Sequence, residues 1–122
     1  MPGDFGIAQQ IDGSTLEDAT RLVQSVKLVD DVVDYIVRLI RATRETAELE
    51  NGASPRAAVM LAHAARARAA ISGRDYVIPD DVKALAPSIM RHRTILSPAA
   101  EIEGRQVDSI ITGLVERTEA PR

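Results

Sequence analysis

Arg56 is the residue whose type and position are hardest to explain by structure alone. Ser54-Pro55 reads as a helix cap followed by proline at the first helical position, where the missing N–H costs nothing. Arg56 then falls in the first turn, so its cation faces the positive end of the helix dipole at a cost of roughly 0.3–1 kcal/mol. Free N–H groups of the helix start stand beside it, and Gly52 in the preceding loop lets the backbone turn tightly. Guanidinium and N–H groups together suit an anion such as a phosphate. The same position also suits an arginine reaching a nearby acid, and the local sequence leaves both open.

Other chemistry is sparse. The chain has no cysteine, which excludes disulfides and thiolate metal sites. His63 and His92 are too few and too far apart for acid–base work or a metal site, and no serine and carboxylate arrangement suggests a triad. No catalytic residue and no metal ligand is therefore expected. A phosphate loop requires G-x-x-x-x-G-K-[ST], yet the two lysines, Lys27 and Lys83, each follow a valine. No buried strand ends in an acidic pair that would hold a metal. This chain alone is not an ATP-hydrolysing enzyme.

Thirteen arginines stand against two lysines, a bias that fits planar recognition of phosphate or carboxylate, or simply composition, since alanine is abundant too. Net charge is -3 with both signs interspersed, which argues against nucleic acid as a partner. One Phe and two Tyr cannot build a stacking face, so Tyr35 and Tyr76 read as core or rim residues. No apolar run approaches the roughly 20 residues that span a bilayer, and MPGDFGIAQQ lacks the features of a signal peptide. A cytoplasmic setting is expected, with no membrane partner.

The elements that must position Arg56 are helices. Residues 1–13 carry three glycines and a proline without apolar period, a flexible lead-in or the boundary of a cut. Ser14 and Glu17 form the two ends of a capping box for a first helix through Val26. Asp30 can cap a second helix with an apolar face at Val29, Val32, Val33, Ile36, Val37 and Ile40. Its Arg38, Arg41 and Arg44 read as a solvated face complementing the dipole, with Arg44, at the helix exit, also of functional interest.

The third helix runs from Pro55 to about Ser72, apolar nearly all round and rich in alanine, the pattern of a central helix, and Gly73 ends it. A fourth starts near Pro79, and Pro87 should kink or end it before a short piece through Arg91. Val107, Ile110, Ile111, Leu114 and Val115 mark a last one. Tyr76 to Ile78 and Ile95 to Leu96 are short enough to be bridges between helices rather than a sheet. The expected fold class is all-α, a small bundle of about five helices with, at most, very short β bridges.

The strings DYIVRLIRATR, NGASPRAAVMLAHAARARAA and SGRDYVIPDDVKALAPSIMRHR, with the closing helix, resemble the C-terminal helical lid of MoxR-type AAA+ ATPases in order and spacing. The match covers roughly residues 14–118, leaving 119–122 as a tail. GASPRA resembles the sensor-two motif. That resemblance implies that Arg56 reaches the terminal phosphates of ATP, held with Mg at a core outside this chain, while Gly52, Ser54 and Pro55 support the sensor helix. It further implies contact with the AAA+ core of the same polypeptide and with neighbouring subunits in a ring, typically a hexamer. The family role is chaperone-like maturation of client proteins, often beside a von Willebrand A domain partner. Ile78 departs from the family pattern, in which a threonine often precedes PDDV and can cap the helix. The alternative is a histone-fold-like helical module that binds nucleic acid or dimerises, or a stand-alone helical adaptor.

Overall fold

The computed structural model describes residues 1–122, the side chain of Pro2 excepted. After a 3-10 turn at Pro2–Phe5, the order is α1 (Gly13–Ser25), α2 (Asp30–Glu45), β1 (Leu49–Asn51), α3 (Pro55–Ile71), α4 (Pro79–Met90), β2 (Ile95–Leu96), α5 (Pro98–Ile102) and α6 (Val107–Arg117). It is a small all-α bundle of six α-helices with minor β pairing, as the hydrophobic periods imply, with α5 the helix they did not reveal. Five residues are too few to show a period, and its local signals are Ser97, whose hydroxyl accepts from the Ala100 N–H at 3.2 Å, and Pro98 at the first position.

α3 is the central element. It packs on α1, α2 and α4, and its Ala57, Leu61, Ala65 and Ala69 are all fully buried. Methyl groups on that stripe let neighbouring helices approach closely, while Tyr35, Ile36, Leu39, Val82, Met90 and Ile111 fill the space around it. A second small cluster of Leu49, Ala100, Ile110 and Leu114 lies under the β1–β2 ribbon, where Leu49 pairs antiparallel with Leu96 and Asn51 with Ile95. A separate parallel bridge joins Lys27 to Tyr76: Lys27 N–H donates to the Asp75 carbonyl at 2.8 Å, and Val77 N–H donates to that of Lys27 at 2.9 Å.

Several boundaries differ from the sequence expectations. α1 is capped by Asp12, whose carboxylate accepts from the Thr15 N–H at 2.7 Å, so the Ser14–Glu17 box is not the cap. This hydrogen bond, from the Thr15 backbone first, holds the Asp12 carboxyl below the usual carboxylate range. Val29, not Asp30, occupies the cap position of α2, and Asp30 and Asp31 serve the dipole from inside the first turn. α4 runs unbroken through Pro87 to Met90, and the expected separate piece is its last turn. Pro87 removes the donor to the Lys83 carbonyl, a tolerable loss because Lys83 lies on the exposed side.

The start of α4 is organised by a buried carboxylate. Asp81 is 1% exposed, and Arg74 grips it with two hydrogen bonds of 2.8 and 2.7 Å, with the Arg68 guanidinium at 3.5 Å. Asp81 also accepts the Ile78 N–H at 2.9 Å. Ile78 stands at the N-cap with no side-chain acceptor, so Asp81 supplies the half of a capping box that is made. Burial pushes the Asp81 carboxyl up, but the hydrogen bonds from Arg74 and Ile78 and the charges of Arg74 and Arg68 outweigh it and leave it below its ordinary value.

The start of α3 is fixed by a close approach. Thr43, 1% exposed, donates its hydroxyl to the Ile40 carbonyl at 2.6 Å and accepts the Ala53 N–H at 2.8 Å. Gly52 lies flat against the last turn of α2: a Cβ there would stand 2.5 Å from the Thr43 carbonyl oxygen and 2.6 Å from the Arg44 Cα and N. Its φ is not positive, so the glycine serves close backbone contact and not the tight turn its position suggested.

Two outcomes follow from these junctions. Gly52→Ala forces the loop off α2 and should lower stability by about 1–3 kcal/mol, read in a thermal melt, and an unchanged melt would refute the close-contact role. Because Asp81 titrates below its unfolded value, its contribution is fully present above the unfolded pKa and is lost as pH falls through the lower folded one. Asp81→Asn should therefore cost roughly 2–4 kcal/mol at neutral pH and flatten the acid limb of stability against pH below about pH 4. Denaturant titrations across that range check both parts.

Candidate functional site

Arg56 sits at the second position of α3, exposed, and among the described residues its side chain makes no hydrogen bond or ion pair. The sequence left open an arginine reaching a nearby acid, and no acid lies within ion-pair distance of it. Six other arginines do reach carboxylates: Arg21, Arg38, Arg68, Arg74, Arg91 and Arg105.

The helix start around Arg56 has few donors left. Pro55 at the first position has no N–H, the Ala53 N–H goes to Thr43, and the Ala57 N–H goes to the Ser54 carbonyl at 2.9 Å. Among the described residues the N–H groups of Ser54 and Arg56 have no protein acceptor. Ser54 is the N-cap residue in extended geometry, but its hydroxyl makes no capping bond. Its expected support is thus positional, with Thr43 and Gly52 doing the pinning. A guanidinium, two N–H donors and a free hydroxyl at the positive end of a 17-residue helix can take an anionic oxygen.

Beside this start, the end of α2 and the first turn of α3 enclose a cleft of about 180 Å³ lined by Val37, Ile40, Arg41, Arg44, Pro55 and Ala58. Arg44 therefore lines a cleft together with Pro55 and Ala58, from the helix turn that also carries Arg56. Arg74 does not: its guanidinium is committed to Asp81 and to the Tyr76 carbonyl at 3.0 Å. The Asp81 hydrogen bond, over the opposing effect of burial, holds it further protonated than a free arginine. Thr43 was missed in the sequence. Its signal was a lone hydroxyl continuing the apolar spacing of Ile36, Leu39 and Ile40.

No group of three or more His, Cys, Asp or Glu that could hold a metal occurs among the described residues. No helix of the structure is long and apolar enough to cross a membrane. The sequence carries no G-x-x-x-x-G-K-[ST] phosphate loop.

The family model for the AAA lid domain matches residues 41–114. The chain is 40% identical over 101 residues to uncharacterized protein YeaC of Bacillus subtilis, an alignment covering 83% of this chain and 32% of YeaC. It is 36% identical over 100 residues to chaperone MoxR1 of Mycobacterium tuberculosis, covering 75% of this chain and 26% of that protein. In structure it is similar to a candidate ATPase from Cytophaga hutchinsonii, with a TM-score of 0.78 and 27% identity, over 94% of this chain and 45% of that one. The chain spans about a third or less of these two curated relatives. A lid match that includes the start of α3 and α4, on a six-helix bundle, decides against the histone-fold-like alternative. The chain belongs to the AAA lid domain family and is related to the MoxR-type AAA+ ATPases.

Proposed function

We propose that this lid, comprising residues 14–118, senses ATP bound at an AAA+ core outside the chain, with Arg56 as the sensor-two arginine. The observation that carries the proposal is an exposed, unpaired guanidinium at a helix start that is itself clamped to α2 by Thr43 and Gly52. Structure alone gives such a cation no partner and a mildly unfavourable dipole, whereas a terminal phosphate supplies the missing charge. The site fits a phosphate oxygen: its donors are cationic or N–H and no carboxylate lines the adjoining cleft. It does not supply ligands for Mg, which would have to come from the core.

In this scheme Arg56 stabilises negative charge on the terminal phosphate, and Gly52, Ser54 and Pro55 set where it stands. ATP and Mg supply the chemistry at the core. This chain's own part is to place one cation and to couple its position to the orientation of the bundle. Chaperone-like maturation of client proteins follows by analogy with the relative named as a chaperone, MoxR1. A ring of subunits, of hexameric type, a von Willebrand A domain partner, and a cytoplasmic setting complete the proposal. The net charge of -3 with interspersed signs gives no support to nucleic acid as a partner.

Arg56→Ala separates this role from a structural one. In the 122-residue chain the melting temperature should hold or rise, since a cation leaves the wrong end of a dipole, an effect of roughly 0.3–1 kcal/mol. In the polypeptide joining lid to core, loss of a charge-assisted contact of about 1.5–3 kcal/mol should lower ATP binding or turnover tenfold to hundredfold. A weakened lid with intact hydrolysis would refute the assignment.

A further inference from the structure

The cleft between α2 and α3 carries a second pair of cations with no structural partner. Arg41 and Arg44, three residues apart on one face of α2, line it, and among the described residues neither makes an ion pair or a side-chain hydrogen bond. One turn earlier on the same helix, Arg38 pairs with Asp34 at 2.9 Å and donates to the Glu119 carbonyl at 2.7 Å. The floor is apolar, made by Val37, Ile40, Pro55 and Ala58, and its walls hold no carboxylate. Charges beside such a floor are less well screened than charges in open solvent.

The cleft is also mechanically tied to Arg56. Gly52 lies against the backbone of Arg44 itself, and Thr43, the residue before it, holds the Ala53 N–H. The end of α2 and the start of α3 thus form one rigid corner.

We propose that Arg44, with Arg41 beside it, extends the Arg56 site into this cleft, so that a polyphosphate is held by cations from two helix ends. The inference rests on the assignment of Arg56 to the phosphates. It makes Arg44 a second binding residue, placed so that a chain of phosphates leaving Arg56 along the corner meets a further positive charge. Arg44 also lies in the last turn of α2, where a cation complements the dipole. A role confined to the dipole predicts lower stability on its removal and no change in anion affinity.

The test is titration of tripolyphosphate into the 122-residue chain, followed by NMR of arginine side-chain and backbone N–H groups. Four proteins are compared: the unaltered chain, Arg44→Ala, Arg56→Ala, and Arg93→Ala as an exposed arginine away from the cleft. The expected result is saturable binding with shifts at Arg41, Arg44, Arg56 and residues 54–58. Arg44→Ala should weaken affinity roughly three- to tenfold while Arg93→Ala leaves it unchanged. If Arg44→Ala loses melting temperature but binds as before while Arg56→Ala weakens binding, the inference is overturned and the Arg56 assignment stands. If Arg56→Ala binds as before, that assignment fails and the two-helix site fails with it. Absence of saturation, or equal weakening by Arg93→Ala, reduces the effect to loose charge attraction and overturns the inference.

Discussion

The alanine stripe of α3 is the constraint on which the rest of the bundle depends. Ala57, Ala65 and Ala69 have no accessible surface, with Leu61 as the one large side chain among them. Where both partners of a helix pair carry large residues, the axes stand about 8–10 Å apart with the bulk shared between them. Here the bulk comes from the neighbours, from Tyr35, Ile36 and Leu39 on α2 and Val82 and Met90 on α4. A larger residue at any of the three alanines would have to displace a neighbouring helix as a whole. The same economy explains how a chain with so few aromatics closes a core: aliphatic side chains pack against a nearly smooth central rod.

Charge placement divides the molecule into two ends with different tasks. At the α3–α4 turn, Arg74, Arg68 and Asp81 satisfy one another, and Asp81 also takes the Ile78 N–H. A buried carboxylate so fully bonded gives geometric definition more than net stability, because desolvation consumes much of the attraction. It holds the α4 start in register where Ile78 has no acceptor to offer. At the opposite end of α3 the cations are left over. Arg56, Arg41 and Arg44 meet no acid among the described residues, and that imbalance is what a phosphate would correct.

Helix existence was legible in the sequence because it rests on periodicity, and the valine, isoleucine and leucine spacing of α2 and α6 left little room for another period. Caps were less legible, since Asp12, Ser14 and Asp30 are all suitable residues and only the path of the preceding chain chooses among them. Pro87 left the end of the helix undecided for a related reason: its cost depends on which side of the helix loses its donor, and that requires knowing that Lys83 faces water. Arg56 stood out in the sequence as one rule-breaking cation. Gly52 stood out too, but its contact with α2 did not, and Thr43 was missed, because both act across a helix junction that no local pattern encodes. The β1–β2 pairing was hidden likewise, joining Leu49 to Leu96 across two intervening helices.

The backbone of an arginine on a packed helix, unlike that of one on a loop, moves only together with much of the bundle. α3 is locked to α2 through Thr43 and Gly52 and buried against α1 and α4, so on the proposed function contact between Arg56 and a phosphate would be coupled to the orientation of the lid. A ligand shifts such an equilibrium only by its difference in affinity for the two arrangements. One charge-assisted contact of about 1.5–3 kcal/mol falls short of the roughly 5.5 kcal/mol that takes a population from 1:99 to 99:1. On the proposed function, Arg56 by itself biases the lid and does not commit it. Commitment would require further contacts that exist only in the nucleotide-bound arrangement, and on the inference drawn above Arg41 and Arg44, at the adjoining end of α2, would make them.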